Sequence, residues 1–208
     1  MVDEAKKCKK DLLMLKVDFE KAYDLVDWRY LDDVMEKMSF LPLWRKWMRE
    51  CVTTATTSVL LNGSLTDEFP LARGLRQGDP LSPLFLLAAE GFHVMMDSLI
   101  TNNLFSGYKV CSDGSLSISH LQFADDTLIL EERSWASVRA MRAVLHLFAL
   151  MSGLKVHFHK SELAGVNINQ SWLLEATTIL NCKVGGLPIL YLGLPVGATL
   201  AGLIFGIM

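Results

Sequence analysis

Apolar residues recur along this chain with two periods, and the changes of period mark its elements. Leu12-Leu13-Met14-Leu15-Lys16-Val17 is a short, nearly continuous apolar run of the kind a buried strand shows. Helical spacing follows: Asp27 is placed to cap a helix with Trp28, Leu31, Met35 and Met38 on one face. A second helix opens at Pro42 with Trp44, Trp47, Met48 and Cys51 as its inward side. Asn62-Gly63 between Ser58-Val59-Leu60-Leu61 and residues 65–69 predicts a hairpin. Asp79-Pro80 reads as a helix cap and first-turn proline, with the helix running through residues 84–100. Residues 116–123 alternate like a strand, and Thr127-Leu128-Ile129-Leu130 forms a second. Ser134 then opens a helix carrying Trp135, Val138, Met141, Leu145 and Phe148 inward, which Gly153 stops. Leu154, Val156 and Phe158 alternate as another strand, and residues 172–180 form a last short helix. Strands, hairpins and helices mixed in this order make the fold class α+β.

The pattern becomes chemical where the strands end. Phe123-Ala124-Asp125-Asp126 sets two adjacent carboxylates at the tip of an apolar hairpin without the glycine that Asp113-Gly114 shows nearby. Read alone, this is first of all an ordinary polar turn. The first apolar run, however, also ends on an aspartate, Asp18. Two such strands side by side, about 4.8 Å apart, gather Asp18, Asp125 and Asp126 on one patch. Three clustered carboxylates do not all stay ionised without cations, and carboxylate oxygens suit magnesium. Between these strands lies Arg73-Gly74-Leu75-Arg76-Gln77-Gly78-Asp79-Pro80-Leu81-Ser82-Pro83. Its glycines admit close approach of a ligand, and its arginines carry phosphate-type charge. A plain loop with a capped helix is the alternative for that block.

Taken together, Asp18-Phe19-Glu20-Lys21-Ala22-Tyr23-Asp24, the Gly74–Pro83 block and Phe123-Ala124-Asp125-Asp126 resemble the reverse transcriptases of non-LTR (LINE-type) retrotransposons, especially plant ones. Ser152-Gly153-Leu154-Lys155-Val156 leading to Lys160-Ser161, and Leu187-Pro188-Ile189-Leu190-Tyr191-Leu192-Gly193-Leu194-Pro195, add two further matching blocks. The resemblance implies a polymerase palm over residues 1–198 as a partial domain, with fingers and thumb largely outside it. Residues 199–208 diverge into an apolar tail, expected to be a truncation or frameshift end.

The resemblance also implies roles. Asp18, Asp125 and Asp126 would hold two Mg2+ ions, with Mn2+ as a substitute and the Phe19 carbonyl as a backbone ligand. Tyr23 matches the bulky side chain that blocks a ribose 2′-hydroxyl. Gln77 and Gly78, beside Arg76, match the loop that packs on incoming nucleotide and template, and Phe123 and Ala124 flank the carboxylates. Lys160 matches a lysine that protonates leaving pyrophosphate; a solvated surface lysine is an equal reading. The implied partners are an RNA template, a DNA primer and deoxynucleoside triphosphates. Location by family is intracellular, nuclear or cytoplasmic. The alternatives are a non-catalytic remnant of a decayed element and a maturase-like RNA-templated polymerase.

Composition modifies this reading. At 208 residues and 51% hydrophobic, the chain can bury a substantial core. Cys8, Cys51, Cys111 and Cys182 are not closely paired, so free thiols in a reducing compartment are expected. A net charge of −3 is unusual for a nucleic-acid binder and predicts weak unaided binding to a phosphate backbone, hence poor extension by this chain alone. The helix after Ser82-Pro83 is one residue shorter than the family pattern before Ala88-Ala89-Glu90, and His157 replaces an asparagine. His157 and His159 would share one face of a strand, an incidental pair in the absence of further ligands. The charge-free residues 185–208 are long enough to span a membrane, but their prolines, glycines and motif match argue against an anchor.

Overall fold

The computed structural model describes residues 1–110 and 116–198. Cys111, the Asp113-Gly114 turn and the apolar tail lie outside the described residues. The chain runs through α1 (Val2–Cys8), β1 (Leu12–Val17), α2 (Ala22–Leu25), α3 (Trp28–Lys37), α4 (Pro42–Thr53), β2 (Thr56–Thr57), β3 (Leu60–Leu61), β4 (Ser64–Leu65) and β5 (Phe69–Pro70). It continues through α5 (Leu84–Thr101), β6 (Tyr108–Val110), β7 (Leu116–Ile118), β8 (His120–Phe123), β9 (Asp126–Glu131), α6 (Trp135–Ser152), β10 (Glu162–Val166), α7 (Gln170–Leu180), β11 (Lys183–Val184), β12 (Ile189–Tyr191) and β13 (Leu194–Val196). Two compact units form: one from Met1–Phe19, Val94–His146 and residues from 156 on, the other from Glu20–His93 and Leu147–Lys155.

The first unit is built on a five-stranded sheet in the order β11-β10-β1-β9-β8. β1 lies in its middle, antiparallel to β10 on one side and β9 on the other. Central position explains why β1 reads as a continuous apolar run rather than an alternating one: both of its faces are covered. Leu12 and Met14 join Leu128, Leu130, Ala164, Val166, Tyr108, Ile189 and Tyr191 in one core. Leu13, Leu15 and Val17 are buried on the opposite face. Each such side chain contributes roughly 1.5–3 kcal/mol on leaving water. A buried carboxylate closes the far end of β9. Glu131 is 1% exposed and accepts hydrogen bonds from Ser106 N (3.2 Å), Ser106 Oγ (2.9 Å), Gly107 N (3.0 Å) and Glu132 N (3.0 Å).

The second unit packs α3 and α4 with the start of α5 and the end of α6. Asp27 caps α3 as expected, its Oδ1 accepting from Arg29 N at 2.7 Å and Tyr30 N at 3.1 Å. The Tyr30 hydroxyl donates to the Ala88 carbonyl at 2.9 Å, and burial pushes its pKa up. Phe148 receives Tyr30 and Phe92 edge-on, with centroids 6.2 and 5.2 Å away. Arg45 on α4 grips Asp32 on α3 through two bonds of 2.9 Å. Hydrogen bonding from Arg45 holds the Asp32 carboxyl below its ordinary pKa. The Asn62-Gly63 hairpin forms between β3 and β4, both turn residues having positive φ (49° and 85°).

Five expectations change. Residues 116–123 are two strands rather than one: β7 pairs with β6, and β8 joins the main sheet. Alternation is the same in both halves, so the sequence could not show the change of partner. Leu154, Val156 and Phe158 form no strand. Val156 makes a single bridge to Phe19, and Phe158, His159 and Lys160 then turn, with Lys160 N bonding His157 O at 2.9 Å. The His157/His159 pair therefore does not share a strand face. The strand that actually flanks β1 is β10, whose Ala164-Gly165 centre weakens its apolar signal.

Asp79 caps a turn, accepting from Leu81 N at 2.9 Å, and α5 begins only at Leu84. Pro83 disfavours helical geometry at the residue before it and delays the start. Finally, α4 buries only Val52; Trp47 and Cys51 are exposed. Its amphipathic pattern identified an apolar stripe without identifying anything to cover it.

α5 is long and apolar enough to cross a membrane, yet Phe85, Ala88, Ala89, Phe92 and Met96 are buried within the protein. Within residues 185–198, the segment weighed as a span folds instead into the β12–β13 hairpin.

Among the described cysteines, all free, Cys8 and Cys51 are exposed, whereas burial pushes the Cys182 thiol up to about 11. Since the thiolate is the nucleophile, iodoacetamide at pH 8 should label Cys8 and Cys51 well before Cys182. Peptide mass mapping over a time course reads the order.

Candidate active site

The site begins with register. β1 pairs with β9 so that Lys16 faces Leu128 and Val17 faces Thr127. One further step brings Asp18, just past β1, level with Asp126, the first residue of β9. Phe123 pairs with Asp126, closing β8 and β9 over the two-residue turn Ala124-Asp125. Ala124 has φ 53°, a left-handed conformation that favours glycine. A Cβ there costs about 1–2 kcal/mol, and the turn presents Asp125 to solvent while Asp126 is half-buried. Thus the strand-end carboxylates come from neighbouring strands. Among the described residues, no three His, Cys, Asp or Glu side chains form a group that could hold a metal ion, so the register supplies neighbours rather than a closed ligand cage.

The backbone at Asp18 is fixed from one side. Its N–H donates to Ser161 Oγ at 3.0 Å, and its carbonyl accepts from His157 N at 2.7 Å. Ser161 is itself 2% exposed and donates to the His157 carbonyl at 3.1 Å. Glu20 N bonds Lys155 O at 2.8 Å, so the Phe19–Val156 bridge is flanked by two bonds made by neighbouring residues. In that antiparallel pattern the N–H and C=O of Phe19 point away from Val156, toward the side of β1 where β9 lies. Ser161 was not identified from sequence as a supporting residue. Its place beside Lys160 is the only local signal, since its partner Asp18 lies 143 residues away in sequence. Lys160 itself is exposed in the turn.

Tyr191, on β12, is the other residue that sequence reasoning missed. It is 9% exposed, and burial, then the negative charge of Asp126, raises its pKa. The phenol therefore stays neutral within reach of the Asp126 charge. Phe123 is exposed and Ala124 half-buried.

The remaining predicted residues belong to the second unit. Tyr23, on α2, stacks on Phe85 with centroids 4.3 Å apart and planes at 24°. Its carbonyl accepts from Leu75 N at 2.6 Å. Arg76, Gln77 and Gly78 form an exposed turn, Gly78 at φ 81° with open space around it.

Comparison with known proteins agrees with this architecture. The family model for reverse transcriptase (RNA-dependent DNA polymerase) matches residues 2–196. Among similar proteins, the transposon TX1 uncharacterized 149 kDa protein of Xenopus laevis is 29% identical over 72% of this chain and 11% of its own length. The Pol polyprotein of the type-1 retrotransposable element R2 of Popillia japonica is 28% identical over 58% of this chain and 19% of its own length. This chain therefore spans under a fifth of either relative. Telomerase from Candida albicans, solved in complex with a fragment of telomeric RNA, superposes with a TM-score of 0.60 at 13% identity. That match covers 94% of this chain and 31% of the telomerase chain, and at such identity it speaks for the fold alone. The residues 2–196 match, the retrotransposon relatives and the shared palm fold agree: the chain belongs to the reverse transcriptase family of non-LTR retrotransposons.

Proposed function

We propose that this palm carries the nucleotidyl-transfer site of an RNA-directed DNA polymerase, adding deoxynucleotides to a primer 3′-hydroxyl. The observation that supports the reading is the β1–β9 register, whose last pair, Val17 with Thr127, immediately precedes Asp18 on one strand and follows Asp126 on the other. The donor set consists of carboxylate oxygens at partly exposed positions, the chemistry that suits a hard divalent cation. Asp18, Asp125 and Asp126, with the Phe19 carbonyl, are the residues that would hold Mg2+, two ions by family, or Mn2+. When bound, such ions lower the pKa of the attacking hydroxyl and neutralise charge building on the phosphates.

The chain's own residues do the rest. Ser161 and His157 keep the Asp18-Phe19 backbone in place, so little reorganisation is needed when substrate arrives. Arg76, Gln77 and Gly78 meet the incoming deoxynucleoside triphosphate and the template, the exposed Gly78 leaving room for close approach. Lys160 provides a proton for the departing pyrophosphate.

Primer extension on an RNA template tests the reading, with this chain alone and joined to the flanking segments of a longer relative. Deoxynucleotide addition that requires a divalent cation supports it. No addition in either form, with folding intact, overturns it in favour of a non-catalytic remnant. Tyr23 is proposed to block the ribose 2′-hydroxyl. In the extending form, Tyr23→Ala should raise ribonucleotide over deoxynucleotide incorporation about tenfold or more, the loss of one steric clash of roughly 1.4 kcal/mol. An unchanged ratio in competition assays would assign Tyr23 to packing against Phe85 only.

A further inference from the structure

The turn of Arg76, Gln77 and Gly78 has open space around its tip, so something at its base must hold it. That base is joined to the segment 23–28 by three hydrogen bonds. Gly74 N donates to Val26 O at 2.8 Å and Leu75 N to Tyr23 O at 2.6 Å. The third is made by a side chain: Trp28 Nε1 donates to the Gly74 carbonyl at 2.8 Å. Gly74 has φ 90°, and a Cβ on it would collide with the Asp24 backbone carbonyl, so the two segments touch main chain to main chain. Behind this joint lies a cavity of about 120 Å³, bordered by Trp28, Val52, Leu75 and Leu81. The buried Leu75 side chain and these hydrogen bonds together set the position of the loop base.

We infer that Trp28 is a positioning residue: its indole N–H locks the base of the Arg76-Gln77-Gly78 loop to the Tyr23 segment, so that the nucleotide-facing loop and the sugar-facing ring move as one piece. This rests on the nucleotide-binding role proposed above. Trp28 itself touches no substrate in this scheme. It acts through Gly74, and the Tyr23 carbonyl bonded to Leu75 N carries the linkage to the ring. A loop free to drift from Tyr23 would still bind a triphosphate, but less tightly and with less discrimination at the sugar.

The test uses the full chain and a fluorescently labelled deoxynucleoside triphosphate, with its ribonucleotide counterpart, in the presence of Mg2+. Trp28→Phe keeps most of the ring and removes the donor. We expect it to weaken deoxynucleotide binding about fivefold, as for a loop in its binding position roughly a fifth of the time, and to narrow the deoxy-to-ribo affinity ratio. The urea midpoint should stay close to that of the unmodified chain. Equal affinity or an unchanged ratio in Trp28→Phe overturns the inference while leaving the proposed function standing. Failure of the unmodified, folded chain to bind either nucleotide overturns the nucleotide-binding reading and this role with it. Hydrogen exchange on the unmodified chain decides the matter if the variant does not fold. The Trp28 indole N–H should exchange slowly and the Gln77 and Gly78 amides quickly, and an indole N–H that exchanges as fast as those two would overturn the lock.

Discussion

Asp125→Asn is expected to reduce RNA-templated primer extension about 1,000-fold in a form of the protein that extends. In the proposed cation-holding carboxylate set, loss of one charge removes several kcal/mol of transition-state stabilisation, and about 4 kcal/mol corresponds to that factor. Asp125 is exposed at the turn, so the asparagine should leave the fold intact and the urea midpoint nearly unchanged. Asp18→Asn should behave alike, because its backbone bonds to Ser161 and His157 do not involve the carboxylate. Single-turnover rates with saturating primer and nucleotide read the effect. Residual activity within tenfold of the parent would remove Asp125 from the site.

Glu131→Ala should destabilise the first unit by about 3–4 kcal/mol. The carboxylate accepts from three backbone amides and one hydroxyl, and bonds to a charged acceptor are each worth roughly 1.5–3 kcal/mol. Removing it strands the Gly107 amide in a buried position and leaves a void at the end of β9. Against a typical total of about 5–15 kcal/mol, the loss is large enough to appear as a lower urea midpoint and as early exchange of the β6 and β9 amides. Glu131→Gln, which keeps the shape and one acceptor oxygen, should lose less than half as much. Equal midpoints for parent and alanine variant would show that Ser106 and Gly107 find other partners.

The difference between these two sites explains what the sequence could reveal. Asp18, Asp125 and Asp126 stand out because charge at the end of an apolar run is costly without a purpose, and β1 and β9 were legible from their residues alone. Asp27, Asn62-Gly63 and Gly153 were legible because caps, primed turns and left-handed stops have local chemical signatures. Glu131 has none: it follows Leu130 as any strand-ending glutamate might, and only folding brings Ser106 and Gly107 to it. Ser161 and Tyr191 were hidden for the same reason, since their importance lies in neighbours far away in sequence. α4 failed in the opposite direction, for its apolar stripe is real but Trp47 stays in solvent. Helical spacing reports a face, and burial depends on a partner that spacing does not encode.

The central place of β1 bears on how the protein is made. Leu12–Val17 is synthesised well before its partner, for Thr127, which faces Val17, follows roughly 110 residues later. At about 5–20 residues per second, the most apolar strand of the sheet waits on the order of 5–20 s with both edges unpaired, and longer for β10. Such an edge invites pairing with other chains. Nascent copies on one messenger RNA are therefore exposed to one another at the segment that later leads into Asp18. Slow or crowded translation should divert this protein into aggregates before β1 finds β9 and β10.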